Sequence, residues 1–311
     1  MTTTKVVEGT VAFKHASLPK PCETWYKVYG DLKSSRSGRP LVTLHGGPGM
    51  AHNYLLSISA LARDPKYQIP VVFYDQIGTG LSTHIREKRM DESFWQPELF
   101  IAELDNLLEH LGIANDFDLL GQSWGGMLGA MFAIRGHRGL KRLIISNSPA
   151  SMPLWVESCN KWRQQLPPEI ERALQRHEAD KTYKDPEYTS AVEYFYKLHV
   201  CRIFPFPKDI MDTFAWVEKD DTVYMTMNGP SEFTVIGNLK DWSVVDQVHK
   251  ISVPTLVLNA EFDEARDSCV YPYFSGIPKV KWYTFPGASH CTNVEIPDKY
   301  MAVVAEFLLG P

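Results

Sequence analysis

The sequence predicts an α/β fold: a mostly parallel central sheet flanked by helices and interrupted by a helical insertion. Three observations carry this. Short, predominantly apolar runs recur, as in Leu41-Val42-Thr43-Leu44, Val71-Val72-Phe73-Tyr74 and Thr255-Leu256-Val257-Leu258, which is how strands buried on both faces read. Helical periodicity alternates with them, which implies right-handed parallel crossovers. Between residues 150 and 249 the strand pattern stops and charge-rich amphipathic stretches take over.

Composition limits the function classes. The chain has 311 residues, 44% of them hydrophobic, enough for a large core and against overall disorder. A net charge of −5 argues against a nucleic-acid partner, which would want a basic stripe. No apolar run is long enough to suggest a transmembrane helix, so no membrane partner is expected. The first residues lack the apolar segment of a signal peptide. Five scattered cysteines without metal spacing read as reduced thiols of a cytoplasmic protein.

In chain order, residues 8–16 and 23–30 alternate and are rich in β-branched and aromatic residues, which predicts an antiparallel pair at a sheet edge. Asp31 to Pro40 reads as a polar loop. The strand Leu41–Leu44 runs into His45-Gly46-Gly47-Pro48-Gly49, a tight turn whose backbone can approach a ligand closely. His45 is expected to orient this turn. Val71–Tyr74 leads into Asp75-Gln76-Ile77-Gly78-Thr79-Gly80-Leu81-Ser82, where Asp75 is expected to bond backbone N–H groups of the glycine turn. The glycines there lack the register of a dinucleotide fingerprint. Trp95 to Leu111 is helical, with Pro97 in its first turn and Gly112 as C-cap.

Phe117-Asp118-Leu119-Leu120 then reads as a buried strand, Gly121-Gln122-Ser123-Trp124-Gly125-Gly126 as a sharp turn, and Met127–Ile134 as a buried helix. Strand, G-x-S-x-G and helix together define a nucleophile elbow, in which the turn pushes the serine out above the sheet. The helix N-terminus behind Ser123 favours negative charge there. Arg142–Ser146 is the next strand. Helical stretches follow around 152–165, 168–180, 186–200 and 207–219, crowded with aromatics, some of which are expected to line a pocket. Thr255–Asn259 and Val280–Phe285 resume the sheet, and a last helix runs from about Pro297 to Leu309. The expected organisation is a core of residues 1–149 and 250–311 with a helical cap over 150–249.

A serine hydroxyl needs a base in hydrogen-bond reach, and the base needs an orienting group. Of ten histidines, only His290 lies in a loop after a late strand. Asp263 lies in the loop after the preceding strand, with Glu261 and Glu264 as competing acids. The order Ser123, Asp263, His290 is that of an α/β-hydrolase triad, with all three at C-terminal strand ends, where open α/β sheets place ligands. The N–H groups of Gly47 and Trp124 are the candidate oxyanion donors. No metal or organic cofactor is called for.

The motifs His45–Gly49, Asp75–Ser82 and Gly121–Gly126 resemble the prolyl aminopeptidase (proline iminopeptidase) family, which includes tricorn-interacting aminopeptidases and L-amino-acid amidases. The resemblance spans about residues 20–309, including Met227-Asn228-Gly229-Pro230-Ser231-Glu232-Phe233 in the cap. That family usually has arginine where this chain has Ile77. The resemblance implies that Asp263 is the triad acid, and that Glu264 and Glu232 bind the free amine of the substrate. It implies a serine hydrolase that releases N-terminal residues, proline or other, from short peptides or cleaves amino-acid amides. Two carboxylates suit an α-ammonium because charge-assisted hydrogen bonds are the strong ones. The competing readings are an esterase or lactonase for a neutral small molecule, and a hydrolase-fold binding protein without turnover. An epoxide hydrolase or dehalogenase is disfavoured, because its elbow would carry Asp at the position of Ser123.

Overall fold

The computed structural model describes residues 4–33 and 38–310. Part of the loop expected over Asp31–Pro40 falls outside them. Eight strands form one sheet in the order β1-β2-β4-β3-β5-β6-β7-β8. β1 (Val6–Phe13) and β2 (Cys22–Tyr29) are antiparallel and sit at one edge, as their alternation predicts. β2 pairs antiparallel with β4 (Val71–Tyr74). β3 (Leu41–Leu44), β4, β5 (Phe117–Gln122), β6 (Leu140–Ser146), β7 (Thr255–Ala260) and β8 (Val280–Phe285) are parallel.

The apolar runs are buried on both faces. Val72, Leu143, Ile145 and Val257 face one core, while Val71, Ile144, Leu256 and Leu258 face another. The short α1 (Ala60–Arg63), with the 3-10 turn His52–Ser59 before it, and the terminal α11 (Pro297–Leu309) contribute to the second core. α2 (Pro97–Leu111) and α3 (Trp124–Ile134) contribute to the first. Gly112 closes α2 in the left-handed region at φ 69°, a conformation that glycine adopts without a Cβ penalty.

Between β6 and β7 the chain forms α4 (Met152–Arg163), α5 (Pro168–Asp180), α6 (Pro186–His199), α7 (Lys208–Lys219) and α8 (Thr222–Met227). Each of α4, α5 and α6 starts with proline in its first turn, where the missing N–H costs nothing. α8 lies in a stretch where periodicity predicts no helix: its six residues are too few to show one, and five are buried. α9 (Asp267–Gly276) tolerates an internal Pro272, and α10 (Thr292–Glu295) follows β8. No helix among the described residues is long and apolar enough to cross a membrane.

Candidate active site

Ser123 sits between β5 and α3 at φ 56°, ψ −125°, a sparsely populated region that costs about 1–3 kcal/mol and persists only when its surroundings enforce it. Those surroundings are glycines. A Cβ on Gly121 would meet Gly125 O at 2.0 Å, and one on Gly125 would meet Leu44 O at 2.0 Å. The elbow therefore presses directly on the end of β3, whose continuation is the His45–Gly49 turn.

His290 follows β8 and bonds Asp263 across the sheet end, Nδ1 to Oδ1 at 2.8 Å. Asp263 is fully buried and also accepts from the Ala265 N–H at 2.9 Å and from Asn147 Nδ2 at 2.6 Å. Of the competing acids, Glu261 is exposed and accepts from the Gly287 N–H instead. Glu264 Oε1 lies 3.8 Å from His290 Nε2. Trp155 stands edge-on to the imidazole at 5.4 Å between centroids.

Ser123 and His290 line one small cavity of about 30 Å³. Gly47 lines it too, and Met50, Val200, Ile210 and Phe214 make its wall apolar. Ser123 Oγ makes no hydrogen bond to His290 among the described residues. Bonds of this kind commonly tighten only around substrate.

The cavity also has an acidic part beside His290. Glu232 and Glu264 are both buried and both line it. Tyr224 donates its hydroxyl to Glu232 Oε1 at 2.7 Å, and the Tyr196 hydroxyl oxygen accepts from the Glu232 N–H at 3.2 Å. Neither carboxylate oxygen of Glu264 has a hydrogen-bond partner among the described residues. Burial pushes the Glu232 carboxyl above the usual range, and burial followed by repulsion from Glu232 and Asp263 pushes Glu264 well above it. Among the described residues, none lining the cavity is a lysine or arginine. A buried carboxylate without a partner is costly, so this part of the cavity can take a cationic or hydrogen-bond-donating group.

The signature of the alpha/beta hydrolase fold matches residues 39–297. A proline iminopeptidase of Saccharolobus solfataricus is 36% identical over 284 residues, 91% of this chain and 88% of the relative. A proline iminopeptidase of Heyndrickxia coagulans is 34% identical, over 87% of this chain and 91% of that one. The chain belongs to the proline iminopeptidase family of α/β hydrolases. The crystal structure of a Mycobacterium smegmatis proline iminopeptidase superposes with a TM-score of 0.87 at 46% identity, and that of VinJ with 0.92 at 46%, each covering 97% of this chain and 98% of the other.

Ile77 is buried, and its N–H donates to Glu103 Oε2 at 2.9 Å. Burial pushes the Glu103 carboxyl up to about 8, so it is held neutral. His45 behaves as its position predicts: it is buried, and burial lowers its pKa to about 4. Asp75 likewise accepts from the N–H groups of His52 and Leu81, each at 2.8 Å.

Sequence reasoning missed Asn147, Tyr54 and Tyr224. Asn147 lies just past β6 at φ 51°, and Asn is among the few residues that adopt that region readily; an Asn at a strand end opposite the loops of Asp263 and His290 is the signal. Tyr54 sits in a 3-10 turn without periodicity. Of the crowded cap aromatics, Tyr196 and Phe214 reach the cavity.

Proposed function

We propose that the chain is a serine aminopeptidase or amidase that removes an N-terminal residue, proline among the candidates, from short peptides or amino-acid amides. The observation that carries this reading is the pair Glu232 and Glu264, both buried in the Ser123 cavity, with neither oxygen of Glu264 hydrogen-bonded among the described residues. An exopeptidase must measure the distance from a free α-amine to the scissile carbonyl, and a fixed acidic part of the cavity does this. The proline iminopeptidase relatives support the same substrate class.

In this mechanism His290, held by Asp263, takes the proton of Ser123 as the hydroxyl attacks the carbonyl carbon. The N–H groups of Gly47 and Trp124 hold the oxyanion. His290 passes the proton to the leaving amine, and water then releases the acyl group by the same path reversed. Residues 150–249 act as a cap that closes the cavity over one residue, with residues 1–149 and 250–311 as the catalytic core. Five unpaired cysteines suit a cytoplasmic location.

The test compares hydrolysis of proline and alanine p-nitroanilides and amides with their N-acetylated forms and with a simple p-nitrophenyl ester. Turnover that is lost on acetylation supports the reading. Ester cleavage with no preference for a free amine overturns it in favour of a general esterase.

A further inference from the structure

The Asp75–Ser82 loop has no part in the chemistry above, yet its second residue touches both sides of the oxyanion site. Gln76 is buried. Its side-chain oxygen accepts from the indole Nε1 of Trp124 at 2.8 Å, and its side-chain nitrogen donates to His45 O at 3.0 Å. Its backbone N–H donates to His45 Nε2 at 3.0 Å. That bond makes Nε2 the acceptor, so the proton of the neutral imidazole sits on Nδ1. Nδ1 in turn donates to Gly46 O at 3.0 Å. Gly46 O and the Gly47 N–H belong to one peptide unit, which is planar with its C=O and N–H opposed. Fixing the carbonyl therefore fixes the direction of the Gly47 N–H.

We propose that Gln76 is a positioning residue that sets both oxyanion donors at once: Gly47 through His45, and Trp124 through its indole. This rests on the serine-hydrolase reading above. Gln76 can do this because its own loop is rigid. Asp75 bonds the N–H groups of His52 and Leu81, and Glu103 bonds the N–H of Ile77. Gly80 packs so tightly on Asp75 that a Cβ would lie 2.2 Å from Oδ2. The Gln76 carbonyl accepts from Thr79 N and Oγ1 at 3.1 and 2.9 Å. Oxyanion donors act through preorganisation, so a loosened pair loses most of its effect in the transition state and little in the ground state.

The test uses Gln76→Leu and Gln76→Glu, the second keeping the shape but presenting a carboxylate oxygen to His45 O. Trp124→Phe serves as an independent break of one arm. Turnover of proline p-nitroanilide is measured per titrated active site. Affinity is measured for L-prolinol, which has no carbonyl, and for a proline boronic acid, whose tetrahedral adduct occupies the oxyanion site. The expected result is a kcat reduced about 10- to 100-fold, below the roughly 10²–10³ of losing a donor outright. KM and prolinol affinity stay within about twofold while boronic acid affinity falls with kcat. Combining Gln76→Leu with Trp124→Phe gives less than the product of the two effects, because they share one arm. Unchanged kcat per titrated site overturns the proposal, as does an equal loss of prolinol affinity. If the unaltered protein cleaves esters without regard to a free amine, the aminopeptidase reading fails. The Gln76 proposal is then decided by the same kcat and KM split on the ester.

Discussion

Glu264 Oε1 lies 3.8 Å from His290 Nε2, beyond hydrogen-bond range, with both side chains buried. The gap leaves Glu264 unpaired beside the His290 imidazole. Under the proposed function, a free amine seated between Glu264 and Glu232 would supply the missing donor. Losing a hydrogen bond to a charged group costs about 1.5–3 kcal/mol. Glu264→Gln and Glu232→Gln are therefore expected to lower kcat/KM for proline p-nitroanilide about 10- to 100-fold. Hydrolysis of a p-nitrophenyl ester without an amine should hold within a few-fold. An equal loss on both substrates would assign Glu264 to His290 rather than to the amine.

The same pair predicts proton-linked binding. Burial raises both carboxyls, and Glu264 is raised further by Glu232 and Asp263. The groups facing the pair are Tyr224, Tyr196, His290 and Asp263; none brings a permanent positive charge. With both carboxyls pushed toward the neutral form, an ammonium bound there under the proposed function is expected to displace a proton to solvent. Linkage then requires cation affinity to rise with pH until the ligand amine itself deprotonates, with release of about one proton per site. Calorimetry of L-prolinol binding in phosphate and in Tris at one pH measures that number. Heats independent of the buffer would show that the carboxylates are already ionised.

Asn147 donates to Asp263 Oδ2 at 2.6 Å and to Thr292 Oγ1 at 3.1 Å, and accepts from Ser146 Oγ at 2.7 Å. Its amide thus holds the carboxylate that holds His290. Asn147→Ala leaves Asp263 with the Ala265 N–H and His290 alone. The expected outcome is a kcat about 10-fold lower at unchanged KM, from the loss of roughly 1.5 kcal/mol at a charged acceptor. Steady-state kinetics across pH checks it; a change in KM alone would contradict it.

These residues mark where the sequence was legible. The two-faced burial of Val71 to Tyr74 and Thr255 to Ala260 is written in their apolar runs, and so the parallel sheet could be read directly. Gly121 and Gly125 announce the elbow because no other residue fits their contacts. The positions of Asp263 and His290 at successive strand ends follow from the chain order of the strands. Tyr54, Gln76 and Asn147 act through contacts between loops far apart in sequence, such as Tyr54 OH to Gln122 Oε1 at 2.5 Å and Gln122 Nε2 to His290 O at 3.2 Å. No local pattern encodes those. α8 was invisible for a related reason, since its six residues are fixed by burial rather than periodicity.

Glu103 predicts a pH dependence of stability. Its carboxyl accepts from Thr24 Oγ1 at 2.5 Å and from the Ile77 N–H, and burial raises it from 4.5 to about 8. Between those values the folded state holds a proton that the unfolded state lacks. Its contribution is therefore complete below about pH 4.5 and lost as pH rises through about 8. Each tenfold change in proton affinity is worth about 1.4 kcal/mol, so the effect reaches at most a few kcal/mol. Glu103→Gln, neutral at every pH, is expected to flatten this fall. Urea unfolding of both proteins from about pH 6 to about pH 9, a range that brackets the folded-state titration, checks it. Parallel curves would show that the carboxyl ionises without cost.

Ser123 predicts an exchange of activity for stability. At φ 56°, ψ −125° a serine bears strain of about 1–3 kcal/mol, while glycine adopts positive φ without a Cβ penalty. Ser123→Gly is expected to abolish turnover and to raise stability by about 1 kcal/mol, a net of relieved strain against the greater entropy of unfolded glycine. Ser123→Ala removes the same hydroxyl but keeps the Cβ, and so should abolish turnover without that gain. Thermal unfolding of the two variants side by side isolates the backbone contribution. Equal melting temperatures would mean that the packing of Gly121 against Gly125, rather than the Cβ at Ser123, sets the energy of the turn.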